Sequence, residues 1–507
     1  MSEEVLIIAA YGVLALLGAL AIFLLATLLW LVMAYLVDVT QTRHTVRRNF
    51  PVIGRFRYFF EHLGEFFRQY FFAMDREEMP FNRAERGWAY KAAKKVNTTV
   101  AFGSTRRLDL PGTVLFVNSP FPALKKTFAE PAEITIGENC RHPYTTKSLI
   151  NISGMSYGAL SKPAVRALSH GAKQAGCWIN SGEGGVSPYH LESGCDLVAQ
   201  IGTAKYGVRT PLGELDEGKL ATIAAHEQVR MFEIKLSQGA KPGKGGMLPG
   251  AKVSAEIAAI RGIPEGEDSI SPNGHPDIRS VDDLLDMIAR LRALTGKPVG
   301  FKTVLGGMDW IRDLCHEIML RGIDSAPDFI TLDGAEGGTG AAPQPLMDYM
   351  GLPLNQALPM LIDTLDEFNL RPRIRVIASG KLINPDRVAW ALCTGADFVV
   401  SARGFMFALG CIQALQCNSN TCPTGITTHD PKLQNGLVVN DKARRVAQYV
   451  DSMIQEVGVI AHSCGVDEPR RLKRTHARMV QPSGAAVLLS DLYASHDFRP
   501  DGDFRHG

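Results

Sequence analysis

"IRVIASGKLINPDRVAWALCTGADFVVSARG", Ile374 to Gly404, decides the fold. Two short β-rich runs, each closing on small or basic residues (Ser379-Gly380-Lys381 and Ala402-Arg403-Gly404), flank a longer stretch of helical pattern. A strand, a helix and a second strand in that order make a βα unit of a parallel sheet. Working outward, the same signature recurs at "LINIS" (149–153), "CWINS" (177–181), "LVAQIG" (197–202), "MFEIK" (231–235), "VGFKT" (299–303) and "DFITLDG" (328–334). With the opening pair this makes eight units, the third having the weakest pattern. Eight βα units predict an α/β fold of the (β/α)8 TIM barrel type, with its site on the loops that follow the strands. More than sixty residues separate the fourth run from the fifth. That is too long for one crossover, so an insertion is expected over the mouth.

Glycine and polar residues gather where these strands end. The first strand is followed by Gly154-Met155-Ser156-Tyr157-Gly158, the second by Ser181-Gly182-Glu183-Gly184-Gly185, and the fourth by Ser237-Gln238-Gly239-Ala240-Lys241. The sixth is followed by Gly337-Gly338-Thr339-Gly340. Any one of these reads equally well as an ordinary turn; together they describe a ligand held close to backbone, which glycine permits. The segments Ser379-Gly380-Lys381 and Ala402-Arg403-Gly404 stand where such barrels bind phosphate.

From Val5 to Val37 the chain has thirty-three residues without charge or proline, well beyond the ~20 that span a bilayer. Glu3 and Glu4 precede the run and bulky residues end it, unlike a cleaved signal peptide. Arg43, Arg47, Arg48, Arg55 and Arg57 follow, and the positive-inside rule then predicts a single-pass inner-membrane anchor with a cytoplasmic C-terminal domain. The stretch from Arg55 to Phe81 has aromatics at helical spacing, and reads either as a helix packed on the body or as one lying in the bilayer interface. The net charge of +2 and the lack of a long basic run beyond the arginines exclude nucleic acid as a partner.

Such a compartment is reducing, so clustered thiols there read as metal or redox groups rather than disulfides. Six of the nine cysteines are scattered and read as core residues. The other three, Cys411, Cys417 and Cys422, fall within "CIQALQCNSNTCPTG". Spacing alone leaves open an iron–sulfur cluster, zinc and no metal at all; three thiolates beside a Cys-Pro favour a three-iron cluster. No G-x-G-x-x-G follows a strand, so a nicotinamide fold is not expected. A barrel phosphate site beside an iron–sulfur cluster suggests FMN, with Lys302 placed to stabilise the reduced ring or to form a strand-end salt bridge.

In order and spacing, "SGMSYGALS", "NSGEGG", "EIKLSQGAKPGKGGMLPGAKV", "DGAEGGTGAAP" and "CNSNTCPTGITTHDP" resemble the synthase domain of glutamate synthase. The nearest resemblance is to the stand-alone, membrane-anchored FMN-binding glutamate synthase family proteins. It implies FMN, a [3Fe-4S] cluster on Cys411, Cys417 and Cys422, and contacts to a 2-oxoglutarate-like substrate or the flavin from Glu183, Lys235, Gln238 and Lys241. The expected organisation is an anchor (1–38), a juxtamembrane lead-in (39–144), the barrel with its cysteine loop (145–480) and a tail (481–507). No glutaminase or nicotinamide-binding domain like those of the large enzymes is expected from this sequence. Electrons would then come from a ferredoxin or a separate reductase, and nitrogen from free ammonia, an amine or a separate glutaminase. The expected reaction reduces a 2-imino acid to glutamate or an N-substituted glutamate. The alternatives are a membrane-linked amino or hydroxy acid dehydrogenase and a non-catalytic electron-transfer subunit.

Overall fold

The computed structural model describes residues 3–122 and 128–493. The chain divides into two compact units, Met1–Ala84 and Glu85–Gly507.

The first unit is helical: α1 (Glu3–Thr40), α2 (Thr45–Asn49) and α3 (Gly54–Phe67), the last running on into a π-helical turn, Arg68–Phe72. Within α1, Ala10–Thr40 has a mean hydropathy of 2.6 and is long and apolar enough to cross a membrane. At ~1.5 Å per residue it exceeds the ~30 Å of bilayer hydrocarbon. Its end is tied by a buried carboxylate. Asp38 Oδ1 accepts from Arg47 at 2.6 Å, and Oδ2 accepts from Arg55 at 2.7 Å and from the Val52 N–H at 3.0 Å. Two of the five arginines counted in the sequence are therefore held by Asp38.

In the second unit, all eight expected strands form: β1 (Ile150–Ile152), β2 (Ile179–Asn180), β3 (Leu197–Ile201), β4 (Val229–Lys235), β5 (Val299–Thr303), β6 (Phe329–Asp333), β7 (Arg375–Ser379) and β8 (Phe398–Ser401). They pair in parallel in chain order, and β8 returns to β1 to close the barrel. The third strand, weakest in pattern, is buried along its whole length. Strands buried on both faces lose the alternation that marks half-exposed ones, which explains the continuous apolar runs.

Side chains from the strand starts fill one end. Trp178, Val198, Met231, Phe329 and Phe398 form a buried cluster with Ile134, Ile136 and Tyr144 of the antiparallel hairpin Ile134–Ile136/Tyr144–Thr146. That end is closed by packing, which leaves the strand C-termini for the site. The helix after β1, α4 (Lys162–Ala175), is capped by Ser161, whose side chain accepts from the Ala164 N–H. The insertion between β4 and β5 is ordered, with a hairpin pairing Met247–Leu248 to Ser269–Ile270 and a helix, α5 (Ala255–Arg261). A short helix, α6 (Arg403–Leu409), follows β8, and α7 (Val439–Ser463) comes after the cysteine loop. Strands Val114–Phe116, Ala477–Val480 and Ala486–Leu488 form a small antiparallel sheet, so residues on either side of the barrel pair with each other.

Candidate functional site

The strand C-termini surround a cavity of about 1050 Å³, its open mouth included. The loop after β1 supplies Met155 and Ser156, that after β2 Glu183, the last residue of β4 is Lys235, and the loop after it adds Gln238 and Lys241. Gly338, Thr339 and Gly340 come from the loop after β6, Ala402 and Arg403 from the end of β8, and Cys417 from the thiol loop. The insertion reaches the same cavity through Leu248, Lys252 and Arg261. The remaining expected residues, Tyr157, Gly158, Ser181, Lys302, Gly337, Ser379, Gly380, Lys381, Gly404, Cys411 and Cys422, do not line it.

Two glycines make room around Glu183. Gly182 has φ +66°, and a Cβ there would meet the Ser156 nitrogen at 2.5 Å. A Cβ on Gly246 would meet Glu183 Oε1 at 2.2 Å. Glycine therefore leaves the room that the Glu183 carboxylate occupies. Its Oε2 lies 3.1 Å from Lys235 Nζ. Burial alone would raise the Glu183 carboxyl, but Lys235 and Lys241 outweigh it and hold the group below the usual carboxylate range. Burial, with the charge of Lys235, pushes the Lys241 ammonium down to about 8.

Arg261 was not foreseen. It ends α5 and is 4 % exposed. Its guanidinium donates to Ser269 Oγ at 3.1 Å and to Ser156 Oγ and the Tyr157 carbonyl at 3.4 Å each, and lies over the Tyr206 ring. Among the described residues it makes no ion pair, and its Nε has no hydrogen-bond partner. Lys252 donates to the carbonyls of Cys417 at 2.9 Å and Thr427 at 2.6 Å. Lys235, Lys241, Lys252, Arg261 and Arg403 thus face the cavity against the single carboxylate of Glu183. Such a surplus of positive charge attracts an anionic ligand.

Lys302 belongs to a separate polar centre. Its ammonium lies 3.1 Å from Asp333 Oδ2, which also accepts the Gly239 N–H at 2.9 Å, while Oδ1 accepts from Ser379 Oγ at 2.8 Å. Burial opposes the charge on Lys302, but Asp333 and Glu233 overcome it and raise the ammonium above its usual value. Lys302 faces a smaller space inside the barrel, lined also by Glu233, Asn180 and Thr331. Other residues set back from the cavity have evident structural partners. Tyr157 donates to Glu256 at 2.6 Å, Ser181 Oγ accepts the Gln200 N–H at 3.0 Å, and a Cβ on Gly404 would meet Tyr449 Oη at 2.1 Å. Lys381 is half-buried in a left-handed turn, φ +49°.

Each of the three thiols has a nearby polar group. The Gln413 N–H approaches Cys411 Sγ at 3.4 Å, Arg403 Nη1 approaches Cys417 Sγ at 3.7 Å, and Thr424 Oγ1 lies 3.3 Å from Cys422 Sγ. Burial pushes Cys411 up. It also opposes ionisation of Cys422, but hydrogen bonds from Thr424 and Thr427 bring that thiol down to about 7. Of the three, the surroundings of Cys422 favour the thiolate that a metal ligand requires, while those of Cys411 oppose it. Among the described residues, however, no three His, Cys, Asp or Glu side chains converge into a group that could hold an ion. The six other cysteines are all buried. Arg403 bridges the two regions, since its Nη2 donates to the Thr339 carbonyl at 2.6 Å.

A closed eight-stranded barrel with an electropositive cavity and a thiol loop at its mouth defines the class. Residues 113–467 match the family model described as "Conserved region in glutamate synthase", and the chain belongs to the glutamate synthase family. It is 39 % identical over 497 residues to the glutamate synthase large subunit-like protein YerD of Bacillus subtilis, covering 90 % of this chain and 94 % of that one. It is 35 % identical to the archaeal glutamate synthase [NADPH] of Methanocaldococcus jannaschii over 65 % of this chain and 61 % of that protein, and so spans about three fifths of its length. Similar solved structures include a flavocytochrome b2 variant (11 % identity, 83 % of this chain, 91 % of that chain, TM-score 0.46). Another is a mandelate oxidase holding an FMN adduct (14 %, 78 %, 92 %, TM-score 0.42).

Proposed function

We propose that the chain is an oxidoreductase that holds FMN in the cavity and a [3Fe-4S] cluster on Cys411, Cys417 and Cys422. It reduces a 2-imino acid, formed from 2-oxoglutarate and ammonia or an amine, to glutamate or an N-substituted glutamate. The observation that carries this reading is the set of buried cations, Lys235, Lys241 and Arg261, arranged around one ionised carboxylate. Glycine backbone at 154, 182, 338 and 340, with the apolar side chains of Met155, Leu160 and Met406, provides walls for a flat ring. FMN, when bound, supplies hydride-level reduction from electrons that arrive singly.

The residues of the chain do the rest. Arg261 has the planar donor fork that suits one substrate carboxylate, and Lys241 offers a point charge for the other. Lys235 and Glu183, 3.1 Å apart, hold a proton between them for the nitrogen that becomes an amine. Arg403 joins the glycine loop to Cys417 and so connects the thiol loop to the cavity wall. Electrons come from a ferredoxin or a separate reductase, and nitrogen from free ammonia, an amine or a separate glutaminase. Helix α1 anchors the chain as a single inner-membrane span with the barrel in the cytoplasm.

The test is reoxidation of the reduced, purified protein by 2-oxoglutarate with ammonium or methylamine. Flavin absorbance should return only when both are present. No return with either amine would sink the proposal. The length and apolarity of α1 favour a second reading, in which the enzyme oxidises an amino or hydroxy acid and passes electrons to a membrane acceptor. Substrate-dependent quinone reduction in isolated membranes would select that reading, and its absence would remove it.

A further inference from the structure

We propose that α3 and the π-helical turn that continues it lie flat in the headgroup layer of an anionic bilayer, as a second membrane contact. The proposal rests on the reading of α1 as a span. The nineteen residues from Gly54 to Phe72 make a rod of roughly 28 Å at helical rise. At 3.6 residues per turn, Phe56, Phe59, Phe60, Phe66, Phe67 and Tyr70 fall on one face, while Arg57, Glu61, Glu65 and Arg68 fall on the other. That aromatic face is bare: Phe56, Phe59 and Phe60 are 58 %, 57 % and 60 % exposed, and Phe71, beside its far end, is 74 % exposed. A continuous apolar face of this kind marks an interaction surface.

The occupant follows from where α3 begins. Arg55, in its first turn, donates to the Ala34 carbonyl at 3.3 Å and to Asp38 at 2.7 Å, and its guanidinium lies over the Trp30 ring. Trp30, Ala34 and Asp38 all belong to the last turns of α1, where a spanning helix leaves the hydrocarbon and where tryptophan and tyrosine collect. With Arg47 also bound to Asp38, the elbow fixes the start of α3 at headgroup depth. Exposed Arg43, Arg48 and Arg57 flank it and suit anionic lipid. Aromatic rings with apolar bodies partition to this layer.

The test uses full-length protein reconstituted in vesicles of phosphatidylcholine and phosphatidylglycerol. Phe60→Trp places a reporter on the aromatic face, and Glu65→Trp places one on the polar face. Lipids brominated close to the headgroup should remove most of the emission added by Phe60→Trp and leave that of Glu65→Trp. Carbonate extraction of the same vesicles reports separately on the span. If the protein resists extraction but Phe60→Trp is unquenched, whether its emission is water-like or shifted by packing against protein, the inference is overturned and the span stands. If carbonate releases the protein, the span reading fails and the inference falls with it.

Discussion

Lys235 and Lys302 sit side by side in the barrel, paired across β4 and β5, and each ends 3.1 Å from a carboxylate. The partners differ in what else they hold. Asp333 also accepts the Gly239 N–H and the Ser379 hydroxyl, so its oxygens are engaged from three strand ends and Lys302 completes the set. Among the described residues, Glu183 has Lys235 as its only close polar partner, and it faces a cavity where Lys241 and Arg261 carry further charge. A buried pair whose hydrogen bonds are complete fixes the framework; one left open beside surplus charge is available for chemistry. Sequence places both lysines at strand ends and does not separate these roles.

The sharpest way to break that contrast is Glu183→Gln. Removing the proton-handling carboxylate should lower turnover by ~10²–10⁴-fold while flavin content and thermal midpoint hold. Steady-state rates and a melting curve on the same preparation check this. A collapsed midpoint with a normal rate per folded molecule would put Glu183 in the same structural class as Asp333.

Asp333→Asn probes the other side. It takes the hydrogen-bonded carboxylate from the Lys302 ammonium and leaves only the more distant charge of Glu233 to offset its burial, and breaking a buried pair of this kind costs about 3–5 kcal/mol. Denaturant titration should show that loss, and an unchanged midpoint would mean that the pair does not fix the fold.

A smaller effect follows from pH. Lys241 is held at about 8 by burial and by Lys235, so its positive charge is present below that value and disappears as pH rises through it. Affinity for a dicarboxylate should therefore weaken above about pH 8, by up to ~10-fold per unit for one proton. Lys241→Arg should remove the dependence, because an arginine keeps its charge. A KM equally flat for both proteins from pH 7 to 9 would take Lys241 out of substrate binding.

How much of this was legible depended on the element. All eight strands read from their apolar runs, because strands covered on both faces need no alternation. Two runs shrink markedly: "CWINS" to β2, Ile179–Asn180, with Trp178 in the core cluster instead, and "DFVVSARG" to β8, Phe398–Ser401. The cavity's glycine loops were found from their position after strands, whereas Glu183, Lys235, Gln238 and Lys241 were singled out through the family resemblance. Arg261 was missed because an arginine in the last turn of a helix, just before Gly262, reads as a partner of the helix dipole. Its role depends on the insertion folding back over the mouth, which no local pattern reports. The thiol loop was legible as a cluster in sequence. How closely the sulfurs approach depends on left-handed residues such as Gln413, Leu415 and Asn420, a geometry that spacing does not encode.

In the proposed function the thiol loop and the cavity are parts of one electron path, with Arg403 between them. Cys417→Ser tests it most directly, because this cysteine lies on the cavity wall and within 3.7 Å of Arg403. The measurement is the paramagnetic signal and FMN content of the variant, with reduction by ferredoxin compared with reduction by dithionite. The expected result is loss of the cluster signal, retained FMN, no reduction by ferredoxin and normal reduction by dithionite. A variant that keeps its iron and its ferredoxin-dependent turnover would contradict it.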